Sequence, residues 1–517
     1  MASQDTNPNI KIIGYIDKSV QEIERLLISG RKNDIMNSRG EFTVISENSS
    51  EIVVITSPIG AMQYCYFYDG YRFAHGEKII DIVRTLGLSW EWDWESLGDL
   101  CELENLTGDR TLHRAIKKVP PGSFLTFDGK LSLHTTKVLD TFLLKDCGNA
   151  VDAVDILNSE TKLWVTKQPF LSLSGGFDSR VILSSMLKQN IFPTLVTLGQ
   201  SGSSDIQVAS RIAETYGLEH IKVSLILDDL LEHGEKIATI TNGSKPACHW
   251  NTFLYPRKAG VPKEQSFFVG TLGEFARSYY FDKGIISLLV DDSSTNLTKL
   301  FWTAKLRRHR TFHDKELDSL SPNLKSQINY IGLQARVARN TELSNGGILS
   351  GGCRYYLEQR VPNFYANGIK MYNETSQWRS PFHNVEWLET IWSLSDHWKL
   401  GSNWHRLAIK RNYPSLLNFS EEKGLSKKRM LEKAPLLYWH PIVQRMKYKT
   451  YDLSKDWYSD SRLREYMLDN RSFLDDVCER SLVEDILIDH QLNKERTRAI
   501  SFMLTVLYFK QALSKAI

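Results

Sequence analysis

The chain has 517 residues, 42% of them apolar and 24% charged, with 64 basic against 61 acidic side chains and a formal net charge of +3. That length carries roughly three ordinary domains or two large ones, and the balanced charge excludes a general affinity for nucleic acid or membrane. Six cysteines, at 65, 101, 147, 248, 353 and 478, form no CxxC pair, which argues against a zinc site or a disulfide framework and suits a reducing cytosol. No apolar run approaches the ~18 residues of a membrane span, and MASQDTNPNIK lacks the core of a signal peptide, so the sequence predicts a soluble cytoplasmic protein.

In chain order, residues 9 to about 140 read as short strands and turns. Two β-branched runs, Phe42 to Ile45 and Ile52 to Ile55, flank a polar turn as in a hairpin. MQYCYFYDGYRFAHGEK offers two aromatic strands joined at Asp69-Gly70, Ile79 to Leu86 reads as a helix, and a last strand pair surrounds Asp128-Gly129. A linker helix from Ala150 to Thr166 then leads into LSLSGGFDSRVILSSML, Leu171 to Leu187.

That stretch sets an apolar strand, a tight Gly-rich loop and an amphipathic helix in succession, an arrangement suited to phosphate. Gly175 and Gly176 can take backbone angles closed to other residues and let the chain approach a ligand; Ser174 and Ser179 add hydroxyls. Amides opening the helix face an anion along a favourable dipole. Asp178 repels a polyphosphate unless a divalent cation stands between them, so it reads as a magnesium ligand. The plainer alternative is an ordinary strand-turn-helix with a Ser-Asp cap.

Beyond it, Thr194 to Leu198 reads as a strand, Asp205 to Tyr216 as a helix, and His220 to Leu225 and Ser266 to Gly270 as further strands. This alternation predicts a parallel sheet with ligands at the carboxyl ends of its strands, where the Gly-Gly loop, Gly199 and Gly270 emerge. After Leu300 the chain reads as mostly helical, with no strand-helix alternation that can be followed. The basic run Lys305 to Arg310 is a solvated helix face or a docking patch.

The SGGFDS loop, with a second Gly-rich loop, VGTLGEFARSYY (269–280), resembles the ATP-pyrophosphatase loop of the asparagine synthetase family. SPIGAMQYCYFYDGYRFAHGEKIIDIV and TLHRAIKKVPPGSFLTFDG resemble segments of its amidotransferase domain. RSPFHNVEWLE, from Arg379, and WHRLAIKRNYPSLLNFSEEKG resemble later synthetase segments. The resemblance implies a shortened, antiparallel amidotransferase-like β domain at 1–145. An adenine-nucleotide α-hydrolase-like parallel-sheet domain, helical towards its end, would occupy 146–517.

It further implies ATP and Mg2+ as cofactors. Ser174, Gly175, Gly176, Asp178 and Ser179 would cradle pyrophosphate and metal, with Val196, Leu198, Gly199 and Gly270 completing the nucleotide site. Two departures stand out. Ala2 occupies the position of the family's glutaminase cysteine, and the glutamine-holding segments are missing before the hairpin that begins at Gly40. In the second loop the family's Asp-Glu pair is replaced by Glu274-Phe275, leaving Asp178 and Glu274 as metal ligands.

Gln377 takes the place of a family glutamate that is a candidate base, and Glu374, or Tyr372 working with it, is the expected substitute. Lys423, with Lys427 or Lys428 as alternatives, is the expected cation for pyrophosphate and the amide-forming transition state. Tyr279, Tyr280, Tyr365 and Trp378 are acceptor-pocket candidates or, taken singly, core packing. The glutaminase-deficient branch suggests a carboxylate substrate, peptide or small molecule, adenylated and joined to an amine in a lasso-peptide cyclase or a lactam synthetase. A partner protease or peptide-delivery protein goes with the first. Alternatives are an ammonia-using amidating enzyme and an inactive binding homologue.

Overall fold

A computed structural model describes residues 8–142, 148–277, 310–340, 353–399, 402–419, 453–492 and 495–517. The first region builds two antiparallel sheets. One has the order β1-β2-β3-β7-β8, from Asn9–Ile16, Gly40–Glu47, Ile52–Thr56, Ser123–Phe127 and Leu131–Thr135. The other sets β4 (Cys65–Tyr68) between β5 (Phe73–Gly76) and β6 (Ile116–Lys118). The three hairpins read from the sequence form, because each polar turn separates apolar runs whose alternate residues face a core. Strand β1 was not foreseen, and it pairs along its whole length with β2.

The helices α1 (Val20–Ile28), α2 (Lys32–Met36), α3 (Ile79–Leu86) and α4 (Trp94–Leu103) accompany these sheets. Then α5 (Ala150–Trp164) runs into the parallel sheet, ending two residues before the expected Thr166. The boundary at 145 falls within 143–147, outside the described residues.

The third sheet has the order β11-β10-β9-β12-β13, all neighbours parallel, from His220–Val223, Thr194–Leu198, Phe170–Ser172, Ser266–Phe268 and Gln377–Arg379. Helices α6 (Phe177–Lys188), α7 (Ser204–Tyr216), α8 (Leu227–Ile240) and α9 (Asn251–Lys258) follow its strands. Strand β13 is the one strand described in the part read as mostly helical: a three-residue strand flanked by helical segments gives no period for a sequence pattern to register. The direction of strand addition reverses between β9 and β12, so the loops after these two strands flank the topological switch point.

The long helix Thr497–Ala516 is buried on most of its surface, as its apolar run ISFMLTVLYF requires. It packs on both α8 and α3, and a single apolar cluster joins Ile79, Trp92 and Leu112 to Trp250 and Phe509. No described helix is long and apolar enough to cross a membrane.

Candidate functional site

The loop after β9 is built by its own polar groups. The Ser174 hydroxyl accepts from the Gly176 amide at 3.1 Å, and the Ser179 hydroxyl accepts from the Ser174 amide at 3.2 Å. Gly176 is the N-cap of α6 at φ −76°, with no side chain capping the helix, so the first-turn amides are left to an external anion. That φ is open to any residue, which corrects the steric reason expected for Gly176. The Gly175 amide donates to Asp205 Oδ1 at 2.5 Å, an anionic oxygen already held by the loop.

Beneath the loop, fully buried Arg180 donates to the carbonyls of Gly175 at 2.6 Å and Phe419 at 2.9 Å. It fixes the turn from inside, a role hidden in the sequence because an arginine after Asp-Ser reads as an exposed helix residue. Val196 is buried in β10, Leu198 ends that strand, and Gly199 lies where a Cβ would meet Ser203 Oγ at 2.5 Å.

The second loop closes on Asp178. A Cβ on Gly270 would stand 3.0 Å from Asp178 Cβ, and one on Gly273 would stand 2.9 Å from the same atom and from a Phe382 ring carbon. Glycine at both positions is what lets the two loops meet. Arg277 donates to Asp178 Oδ2 at 2.6 Å. His405, fully buried, sets Nε2 2.8 Å from Asp178 Oδ1 and 3.1 Å from the Gly273 carbonyl. Burial raises the Asp178 carboxyl, but Arg277 and the His405 contact outweigh it and hold the group below its usual range. Neither Arg277 nor His405 was anticipated, since each is remote in sequence from the loop it serves.

Glu274 accepts from the Tyr365 hydroxyl at 2.5 Å, so Tyr365 supports the second loop rather than lining a separate pocket. Phe275 is buried and stacks near Tyr356 and Trp392, with ring centroids 6.3 and 6.2 Å away. An aromatic therefore fills the place where the family has a second acid. Asp178 and Glu274 are each carboxylate donors of the type Mg2+ takes together with substrate phosphates, and each oxygen keeps further lone pairs beside its donor. Magnesium bound there would neutralise polyphosphate charge.

The residues expected to act as base lie elsewhere. Gln377 pairs with Ser266, and Phe267 with both Trp378 and Phe170, so Gln377 is level with Pro169. Ser174 is five residues farther along, roughly 16 Å at about 3.3 Å per residue. Glu374, before Gln377, thus lies at the amino end of the sheet, lining a cavity of about 600 Å³ with Lys370 and Arg379, away from the loops. Tyr372 is buried, its hydroxyl 3.0 Å from that of Tyr255, and burial raises its phenol well above the ordinary range. Trp378 is fully buried against His383. These three are placed as cavity wall and core. Lys423, Lys427, Lys428, Tyr279 and Tyr280 lie outside the described residues. Of the basic run only Arg310 is described, ion-paired with Asp314.

A parallel sheet with an uncapped Gly-rich loop and a second loop at its switch point defines a nucleotide-binding α/β domain. Residues 167–255, which carry the first of these loops, match the asparagine synthase family model, and the chain is consistent with the asparagine synthetase family. That match supports, in general terms, an ATP-dependent amide ligase. No curated protein was found to match it.

Proposed function

We propose that the protein is an ATP-dependent carbon–nitrogen ligase that adenylates a substrate carboxylate, releases pyrophosphate and passes the acyl group to an amine. The observation that supports this reading most is the uncapped start of α6, with the Gly175 amide before it already donating to a carboxylate oxygen of Asp205. A carboxylate oxygen attacks the α-phosphorus of ATP and pyrophosphate leaves. The amine then attacks the acyl carbon, AMP leaves, and the amine proton passes to a base. The free amides of α6 and Arg277 are suited to the charge that develops on the departing pyrophosphate. Burial of Tyr372 and the position of Glu374 argue for a base other than these two.

The acceptor amine is proposed to belong to the substrate, in a lasso-peptide-type macrolactam cyclase or, second, a small-molecule lactam synthetase. Among the described residues of the first region the cysteines are Cys65 and Cys101, both buried and both raised by burial, unlike a glutaminase nucleophile. A peptide substrate brings with it the proposal of a partner protease or delivery protein; no nucleic acid or membrane partner is proposed.

A second reading, an inactive binding homologue, is favoured by Phe275 in the core and Arg277 on Asp178. The experiment supplies ATP, Mg2+ and candidate precursor peptides, β-amino acids or ammonium, and follows amide product by mass. The leading reading expects loss of one water from a peptide or amino acid, independent of ammonium. Ammonium-dependent amidation, or ATP binding without product from any acceptor class, would contradict it.

A further inference from the structure

Outside the two loops, Glu104, Cys248 and His249 each offer one ligand atom, and the three atoms lie within 4.8 Å of one another. Glu104 is the C-cap of α4, in the left-handed region at φ 62° where helices commonly end. Cys248 and His249 lie on a single turn, Ala247–His249, anchored to the C-terminal helix. The Ala247 and Cys248 amides donate to Thr505 Oγ1 and Ser501 Oγ, each at 2.9 Å. Phe364 packs edge-on against the His249 ring at 4.9 Å. His249 Nε2 is itself buried and has no hydrogen-bond partner. A buried imidazole nitrogen without a partner is costly unless it binds something.

We infer that Glu104, Cys248 and His249 form a zinc site that ties the antiparallel region to the ATP-binding domain. Thiolate, imidazole and carboxylate are the three donor types zinc takes, and the mixed set disfavours Mg2+ and Ca2+, which prefer oxygen. Zinc bonds of about 2.0–2.3 Å bring tetrahedral ligand atoms to roughly 3.3–3.8 Å from each other, so a modest contraction closes the site.

The surrounding charge is compatible. Lys245, Arg360 and Arg498 all act on His249, and Arg498 approaches Glu104 at 3.8 Å. A divalent ion held by a thiolate and a carboxylate is neutral as a unit, one charge more positive than the empty site with its thiol protonated. Zinc takes the thiolate, so its binding releases a proton. The fourth position is left to a water or another donor.

The test uses the full chain purified without chelator or histidine tag. Metal analysis is expected to give about one zinc per chain, falling at least tenfold in Cys248→Ser and His249→Ala and unchanged in Cys478→Ser, a buried thiol outside the group. Replacing zinc by Co2+ is expected to give the near-ultraviolet thiolate-to-cobalt absorption, lost in Cys248→Ser. Glu104→Gln, which keeps the side-chain shape, is expected to weaken zinc binding at least tenfold. A wild-type chain with no zinc and no thiolate-to-cobalt band overturns the inference, as does a band that persists in Cys248→Ser. Should the cysteine variant not fold, the wild-type cobalt spectrum decides alone.

Discussion

Asp178 is the residue on which the site turns. Its carboxylate faces Gly270 and Gly273 across a gap that admits no Cβ, and it is held by Arg277 and His405. Gly273→Ala is therefore expected to push Asp178 or Phe382 aside, costing about 1–3 kcal/mol in stability and abolishing ATP turnover; denaturant titration and a turnover assay check both. The Asp178 carboxyl sits below its ordinary value of 3.8, so its stabilisation is complete above that value and is lost as pH falls through the depressed folded one. Asp178→Asn is expected to flatten the acid limb of a stability-against-pH curve in that range. An unchanged acid limb would refute the ion-pair account.

At this scale the sequence was only partly informative. Ser174, Gly176 and Asp178 could be singled out because the loop is contiguous. Arg180, Arg277 and His405 could not, because only the fold brings an exposed-looking cation beneath one loop and beside another. Glu374 and Tyr372 failed for a related reason: proximity in sequence to the Gln377 strand says nothing of which end of the sheet a side chain occupies.

Among the elements, the ten-residue π-helical stretch Tyr356–Tyr365 joins the two regions. Gln359 accepts from the Gly108 amide at 2.8 Å, Asn363 accepts from Lys118 on β6, and Tyr365 reaches Glu274. A wide turn of this kind is frequent at functional sites, and here it couples the first region to the second loop. Lys118 is buried, which lowers its amine to about 8. The folded state then binds this proton less tightly than the unfolded chain, so stability rises with pH between about 8 and the ordinary 10.5. Lys118→Met is expected to remove that rise, worth at most roughly 3 kcal/mol, and a denaturant midpoint measured across this window tests it.

Hairpins, α3, α5 and the β9-α6-β10-α7-β11 succession were legible because period and turn residues agree over many positions. Strands β1 and β13 were not. The first ends just before a charged helix and the second is three residues long between helices, so each owes its existence to a partner strand rather than to its own pattern.

For the whole molecule, the shared apolar cluster predicts that the two regions unfold together. Phe509, fully buried on the C-terminal helix, packs on Trp90 at 5.3 Å and would meet any side chain added at Gly243. Phe509→Ala is expected to cost about 3–5 kcal/mol while leaving one transition. Two separated transitions in calorimetry would show that the regions are energetically independent. The sequence foretold two regions but not this helix between them, since burial on all sides depends on surfaces contributed from afar.

The most direct test of the central claim, that the SGGFDS loop serves cleavage of ATP between its α- and β-phosphates, is identification of the nucleotide product. With an accepted carboxylate the account predicts AMP and pyrophosphate in equal amounts, with the rate lowered at least a hundredfold in Asp178→Asn. Formation of ADP and phosphate, or an Asp178→Asn chain as fast as wild type, would contradict it.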